Sequence, residues 1–326
     1  MISVVCPVYN ESAYIKKLLD FYINALPVDK ELLLVDGNST DDTCAIIKQY
    51  MAHNADIVLL DNPQRIVPYA LNKAIQAAKG DIIIRLDAHT DYSNDYFEKI
   101  IETFKTTDAD IVGGPMRIAK GNTIQNAIGY ATSTAFGIGN SSFHFEDYKG
   151  YADSVYLGAW KKEIFKTTGL FDVAFKRNQD DEFHYRAKSL GFKIYQHPDI
   201  KLYYHPRKTF GLLFKQYYQY GLYKPLVLKK IKSAVSGRHL IPALFVLYLL
   251  SIPVACFIIP FYISLIPLLM YLSGDLIFTL RSNKSFKEMS AIKLVYPILH
   301  ISYGIGFIRG LFKHNYKSKK LPKGSF

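Results

Sequence analysis

Cysteine is scarce in this 326-residue chain, with three in all: Cys6, Cys44 and Cys256. They show neither the paired spacing of a zinc site nor the density of a disulfide scaffold, so a reducing compartment is expected. No Gly-x-Gly-x-x-Gly turn and no Walker lysine follow the first apolar strand, which disfavours an ordinary dinucleotide-binding fold and a P-loop. Internal repeats and low-complexity tracts are absent. No signal peptide is expected ahead of the fold, because Met1-Ile2-Ser3-Val4-Val5 already reads as a strand. Charge is missing altogether from Leu240 to Gly274. That run is too long for one membrane span. It fits two closely spaced helices of roughly 20 residues each, with a turn near Pro260. A second apolar stretch, Leu294 to Ile308, reads as a third span, a re-entrant piece or a buried core helix.

The charge that is present is mostly positive, a net +12. Nucleic acid is one explanation, but much of the excess flanks the apolar segments. Lys224, Lys229, Lys230, Lys232 and Arg238 precede them; Lys313, Lys317, Lys319, Lys320 and Lys323 follow. Basic flanks mark the cytoplasmic side of a span and suit anionic headgroups. The membrane accounts for this charge better than nucleic acid does. A third full span would send the basic tail outside, so a re-entrant or interfacial third segment is favoured.

The first hundred or so residues alternate strand and helix. Strands are expected at Ile2–Cys6, Leu32–Val35, Ile57–Leu60, Ile82–Leu86 and Ile111–Gly114. Between them, apolar residues recur at helical spacing: Ile15, Leu18, Leu19, Tyr22; Ile46, Ile47, Tyr50; Leu71, Ile75, ending at Gly80; Phe97, Ile100, Ile101, Phe104. Apolar runs without alternation mean strands covered on both faces, hence an α/β domain with a mostly parallel sheet. From Lys120 to Tyr151 the pattern loosens, as in a binding loop or mobile cover. Thr209 to Tyr223 reads as an amphipathic, aromatic helix, and Lys208 to Lys232 as a segment lying along a membrane interface.

In open parallel sheets ligands bind at the carboxyl ends of the strands. Here those ends are Pro7-Val8-Tyr9-Asn10-Glu11, Asp36-Gly37-Asn38-Ser39-Thr40-Asp41-Asp42 and Asp87-Ala88-His89. Asp36 either caps the next turn or accepts hydrogen bonds from a base or ribose. Asp41 and Asp42 read as stabilisers of the following helix N-terminus. Glu11 equally suits a first helical turn. Asp87 faces the crevice where a diphosphate would lie, and magnesium takes one or two protein carboxylates plus phosphates and water. His89 is a ligand for a softer ion such as manganese, or a hydrogen-bond donor behind the ligands. A second cluster, Asn178-Gln179-Asp180-Asp181-Glu182, reads by default as a solvated helix start. Arg186 is placed to pair with Glu182 along that helix. A carboxylate there is also able to take a proton from an attacking hydroxyl.

Taken together, in order and spacing, these motifs resemble an inverting glycosyltransferase of family 2, the GT-A type. The match runs from Cys6-Pro7-Val8-Tyr9-Asn10-Glu11 through Val35 to Thr43, Ala70-Leu71-Asn72, Leu86-Asp87-Ala88-His89 and Gly169-Leu170-Phe171-Asp172 to Asp180. Within the family it is similar to the succinoglycan-biosynthesis type of membrane-associated glucosyltransferase, which shares the Asp-Ala-His form and a carboxy-terminal membrane segment. The resemblance implies a GT-A catalytic domain at 1–207, basic interfacial helices at 208–238, a membrane segment at 239–312 and a basic cytoplasmic tail at 313–326. It places Pro7, Tyr9 and Glu11 around uracil, Asp36 on base or ribose, and Asp87 with His89 at a divalent cation, Mg²⁺ or Mn²⁺. Asp180 would be the general base, with Gln179 where relatives carry glutamate. Asn72, Arg85, Asp181, Arg186 and Gln216 complete the implied substrate-binding set; Gln216 lies in a Gln-Tyr-Tyr-Gln-Tyr stretch only loosely similar to the motif of polymerising relatives.

The implied reaction moves a sugar from a UDP-sugar to a hydroxyl of a polyprenyl-diphosphate-linked saccharide, at the cytoplasmic face of a bacterial inner membrane. Expected partners are the donor, the lipid-linked acceptor and membrane lipids, not nucleic acid, with a homo-oligomer or a complex with other polysaccharide-biosynthesis enzymes left open. Transfer directly to polyprenyl phosphate, a synthase with an export channel and a non-catalytic nucleotide-sugar sensor are the rival readings.

Overall fold

The computed structural model describes residues 1–139, 142–231, 237–258 and 260–313. Lys232, Lys317, Lys319, Lys320 and Lys323, and with them nearly all of the expected basic tail, lie outside the described residues. Among the described residues the chain divides into two compact units, Met1–Arg117 with Phe145–Tyr204, and Ile118–His144 with 205–313.

The first unit opens with β1 (Ile2–Val8), α1 (Ile15–Asn24), β2 (Lys30–Asp36), α2 (Thr43–Met51), β3 (Ile57–Asp61), α3 (Val67–Ala77) and β4 (Ile82–Arg85). Along β2 the side chains alternate faces, as a pleated strand requires. Leu32 and Leu34 join a core with Leu18 and Leu19 of α1 and Ile47 of α2. Leu33 and Val35 join a second core with Leu71, Ala74 and Ile75 of α3. Both faces are covered, which is why these strands read as unbroken apolar runs. The chain continues through β5 (Thr90–Tyr92), α4 (Tyr96–Thr106), β6 (Ile111–Gly114) and β7 (Met116–Ile118).

The next segment, α5 (Thr123–Thr132) and α6 (Ala135–Ile138), belongs to the second unit. The 1–207 domain expected from sequence is therefore interrupted, and the Lys120–Tyr151 stretch expected as a loop contains a helix. Its start carries a capping box: Asn122 Oδ1 accepts from the Gln125 amide and the Gln125 side chain accepts from the Asn122 amide. Ala127, Ile128 and Ala131 then pack into the second unit's core.

The first unit resumes at β8 (Gly150–Tyr151), β9 (Tyr156–Lys161), α7 (Ile164–Thr168), α8 (Gln179–Ser189), β10 (Ile194–Gln196) and β11 (Leu202–Tyr204). The eight-stranded sheet has the order β3-β2-β1-β4-β9-β6-β10-β8, and a small sheet has the order β5-β11-β7. β9 runs antiparallel to both β4 and β6, and β8 antiparallel to β10. The sheet is thus mixed, with four of its seven pairings parallel and three antiparallel. A buried apolar run reports cover on both faces and says nothing about strand direction, and β9 is reached by a long excursion rather than a helical crossover. Succession moves from β1 to β2 and β3 on one side and to β4 on the other, so the order reverses between β1 and β4. That reversal opens a crevice at the strands' carboxyl ends.

The second unit adds α9 (Phe210–Lys230), α10 (Gly237–Ile258), α11 (Phe261–Ser264), α12 (Ile266–Arg281) and α13 (Phe286–Lys313). Helices α9 and α13 meet backbone to backbone. A Cβ on Gly306 would lie 2.1 Å from the Tyr218 carbonyl oxygen, and one on Gly221 2.1 Å from that of Tyr303. The uncharged run breaks at Pro260 but does not make two helices of equal length: α12 has 16 residues. Pro260 and Pro267 bracket the four-residue α11, and proline sits naturally at a helix start rather than inside one. The third apolar segment is one unbroken helix of 28 residues. Among the described residues α13 is the one helix long and apolar enough to cross a membrane by length and composition, and half of its most apolar stretch is buried within the protein.

Candidate active site

The crevice is built from the loops that leave β1, β2 and β4. Those after β1 and β2 are stitched together. The Asn10 amide donates to Ser39 Oγ (2.9 Å), the Thr40 amide to Asn10 Oδ1 (2.8 Å), the Glu11 amide to Thr43 Oγ1 (2.8 Å) and the Ser12 amide to Asp41 Oδ2 (3.0 Å). Asn10 takes a left-handed φ of 54°, which an asparagine tolerates better than most residues. Asp41 also accepts from Thr43, and these bonds hold its carboxyl below the usual carboxylate range. Asp41 thus ties two loops together, while Asp42 stands at the cap of α2 without a side-chain capping bond.

Pro7 pairs with Val35 beyond the last pairing of β1 with β4, so its missing N–H costs no ladder bond there. Tyr9 follows, half exposed, with its side chain against Gly37. Asp36 is buried and accepts from the Ser39 amide (3.0 Å) and hydroxyl (2.5 Å). Of the two roles open to it, turn capping is the one these bonds perform.

The centre of the site is Arg85, at the end of β4. Its side chain is 6% exposed and lies between two carboxylates. Nη1 donates to Asp180 Oδ1 (2.6 Å), while Nε and Nη2 reach Asp87 Oδ1 at 3.2 and 3.1 Å. Asp87 Oδ2 is gripped more weakly, at 3.5 Å from Nη2. The Asp87 backbone is pinned by Tyr92, whose hydroxyl accepts from the Asp87 amide (2.7 Å) and lies 3.1 Å from its carbonyl. Asp180 stands in the first turn of α8, behind Asn178 in a left-handed conformation with φ 61°. Gln179 Nε2 donates to Asp180 Oδ2 at 3.3 Å. The recessed position of Asp180 pushes its carboxyl above the ordinary value, Arg85 pulls it back, and the charges of Asp87 and Asp181 push it up again.

The donor set fits a loosely held cation and not a resident one. Among the described residues no three His, Cys, Asp or Glu side chains converge as a metal cage. Asp87 offers one partly exposed carboxylate, which matches a hard ion that completes its shell with substrate phosphates and water. His89 does not turn Nδ1 toward Asp87. That nitrogen faces Glu11 Oε1 at 3.1 Å.

Other expected site residues have different work. Asn72 spends both ends of its amide on the Phe171 backbone, donating to its carbonyl (2.8 Å) and accepting from its amide (2.9 Å). Arg186 pairs with buried Glu182 as the helical spacing implied, at 2.8 and 2.9 Å, and also donates to the carbonyls of Thr168 and Leu170. Its charge is consumed inside the fold. Each anchors the Thr168–Phe171 loop. Asp181 neighbours Asp180 and acts on it through charge. Gln216 lies on α9 in the second unit, where Arg207 and Tyr220 hold its amide at 3.3 and 2.9 Å. Tyr92 was not foreseen from sequence, because nothing in the Asp87–Tyr92 spelling marks a tyrosine that folds back onto the preceding strand end.

The sequence model described as Glycosyl transferase family 2 matches residues 3–168. Succinoglycan biosynthesis protein ExoA of Rhizobium meliloti (strain 1021) is 31% identical over 242 residues, 73% of this chain and 73% of its own. A dolichyl N-acetyl-alpha-D-glucosaminyl phosphate 3-beta-D-2,3-diacetamido-2,3-dideoxy-beta-D-glucuronosyltransferase of Methanococcus voltae is 32% identical over 328 residues, 96% of this chain and 98% of its own. Among solved structures, mannosyltransferase PcManGT from Pyrobaculum calidifontis, in complex with GDP-Man and Mn²⁺, superposes with a TM-score of 0.60 at 16% identity, over 95% of this chain and 87% of its own. S. aureus TarS 1–349 with UDP-GlcNAc gives 0.53 at 16%, over 90% of each chain. The structural likenesses show the fold, and the sequence matches show the family: this chain belongs to glycosyl transferase family 2 and is a glycosyltransferase of the GT-A fold.

Proposed function

We propose that the protein transfers a sugar from a UDP-sugar to a hydroxyl of a lipid-linked saccharide, by direct displacement with inversion. The observation that carries this reading is the pairing of Asp87 and Asp180 around Arg85 at the reversal point of the sheet. A base and a diphosphate-facing carboxylate stand side by side, as a single displacement requires. Pro7, Tyr9 and Asp36 line the nucleotide end, with the exposed Tyr9 ring offering a face to a base.

Asp180 takes the proton of the acceptor hydroxyl as its oxygen attacks the anomeric carbon. The bond from that carbon to the diphosphate oxygen breaks, its electron pair leaves with UDP, and the configuration inverts. A divalent cation held at Asp87, Mg²⁺ or Mn²⁺, would supply charge stabilisation for the leaving diphosphate. Raising the Asp180 carboxyl above the ordinary range makes it a better proton acceptor once ionised.

The lipid-linked acceptor is supported by the printed activity of the Methanococcus voltae relative, which acts on a dolichyl-phosphate-linked sugar, and by the succinoglycan role of ExoA. The apolar α10, α12 and α13 support a membrane-associated enzyme, and the reading puts its catalytic unit on the cytoplasmic face, where UDP-sugars are available. The test is a panel of UDP-sugars with polyprenyl mono- and diphosphate-linked saccharides, each with Mg²⁺, Mn²⁺ or chelator. Transfer with inversion, lost on chelation, is expected. Asp180→Asn should lower turnover by about 10²–10⁴-fold while donor binding persists. Wild-type turnover in that variant would remove Asp180 as the base.

A further inference from the structure

Arg85 was expected to touch substrate, and its surroundings say otherwise. All three guanidinium nitrogens are engaged by Asp87 and Asp180, and the side chain is 6% exposed. Little of it is left for a ligand. Its neighbour Ile83, two residues back, lies in the same core as Phe183 and Ala187 of α8. Strand alternation therefore aims Arg85 toward the helix whose first turn carries Asp180. Burying a guanidinium in a central strand is costly unless it is fully paired. One carboxylate would neutralise it; this site supplies two, Asp87 two residues along the chain and Asp180 95 residues away.

We propose that Arg85 is a positioning residue that locks the base Asp180 to the diphosphate-facing Asp87, so that the distance between the two ends of the displacement is set by one planar cation. The proposal rests on the roles given above to Asp87 and Asp180. The planar fork is what the task needs, because its donors are fixed in one plane, whereas the three donors of an ammonium group rotate on a flexible stem. Arg85 takes Asp87 by Oδ1 and leaves Oδ2 the more loosely held of the pair, the side from which a cation would approach. The same guanidinium supplies a fixed positive charge beside the base, independent of whether a metal is bound.

The test is a double-mutant comparison on the full chain, made with whichever donor and acceptor the panel identifies. Arg85→Lys keeps the charge and loses the bridge. It should lower kcat by about 10- to 100-fold, as misplacement of a reacting group does, with donor KM within about threefold. Introduced into Asp180→Asn, the same substitution should lower the residual turnover by less than about threefold, because no base remains to be positioned. Three results overturn the proposal: unchanged kcat, equal losses in both backgrounds, or a donor KM raised by more than about tenfold, which would mark a direct donor contact. Should Arg85→Lys not fold, Arg85→Gln/Asp180→Asn removes one charge of each sign. Turnover equal to that of Asp180→Asn supports the proposal, and a further loss of more than about tenfold overturns it. Turnover of Asp180→Asn alone reports on the base assignment; the comparison between backgrounds reports on Arg85.

Discussion

Side chains in the heart of the first unit are held to one protonation state by what surrounds them, and His184 shows this most directly. It sits on α8 one turn beyond Asp180, fully buried, with Nδ1 2.9 Å from Ser154 Oγ. Burial lowers its pKa to about 4, so the imidazole is neutral throughout the physiological range. In the unfolded chain the same group titrates near 6.5. Stability is therefore fully present above about pH 6.5 and falls as pH drops toward 4, where the unfolded state takes up a proton that the folded state refuses. The slope contributed is at most about 1.4 kcal/mol per pH unit. His184→Gln should flatten thermal stability between pH 6.5 and 4, measured by melting at a series of pH values. An unchanged slope would show that another group carries the acid sensitivity.

Elements meet here through what their sequences omit as much as through what they bury. Helices α9 and α13 approach closely because glycines stand where side chains would collide. Gly306→Leu would drive a side chain into the Tyr218 carbonyl and should cost about 1–3 kcal/mol or more, read as a lowered melting temperature. A variant that melts like the parent would mean that the two helices part readily. The start of α5 was legible in principle, since Asn122-Thr123-Ile124-Gln125 spells a capping box. It was obscured by the glycine- and serine-rich residues that follow. Apart from the three-residue β5, the strands and helices up to β6 were legible because their apolar spacing is a local property. The direction of β9 was not, because pairing partners are chosen across the sheet. Among site residues, Asp36, Asp87 and Asp180 stand at strand or helix ends, where spacing marks them. Asn72 and Arg186 carry the same polar signal and are consumed by the backbone of the Thr168–Phe171 loop.

For the whole molecule, the consequential feature is the apolar surface of the second unit. Leu250, Val254, Phe257, Leu269 and Met270 are all exposed, Phe257 at 92%. A surface of this kind marks a membrane or a partner rather than water. The full chain should fractionate with membranes, resist a high-salt and carbonate wash, and leave the pellet only in detergent. Release by salt alone would mean electrostatic attachment through the basic residues without insertion.

The sequence by itself determined the alternation of strand and helix, the polar strand ends, the run of 35 residues without charge from Leu240 to Gly274, and the order of the acidic motifs. Each of these is written in neighbouring residues, through side-chain periodicity, turn chemistry and spacing. Only the tertiary structure decided that Arg85 joins Asp87 to Asp180, that Asn72 serves Phe171 99 residues away, and that α5 and α6 belong to the second unit and not the first. A buried polar group must find a partner, but which partner it finds depends on which distant elements the packed core brings beside it.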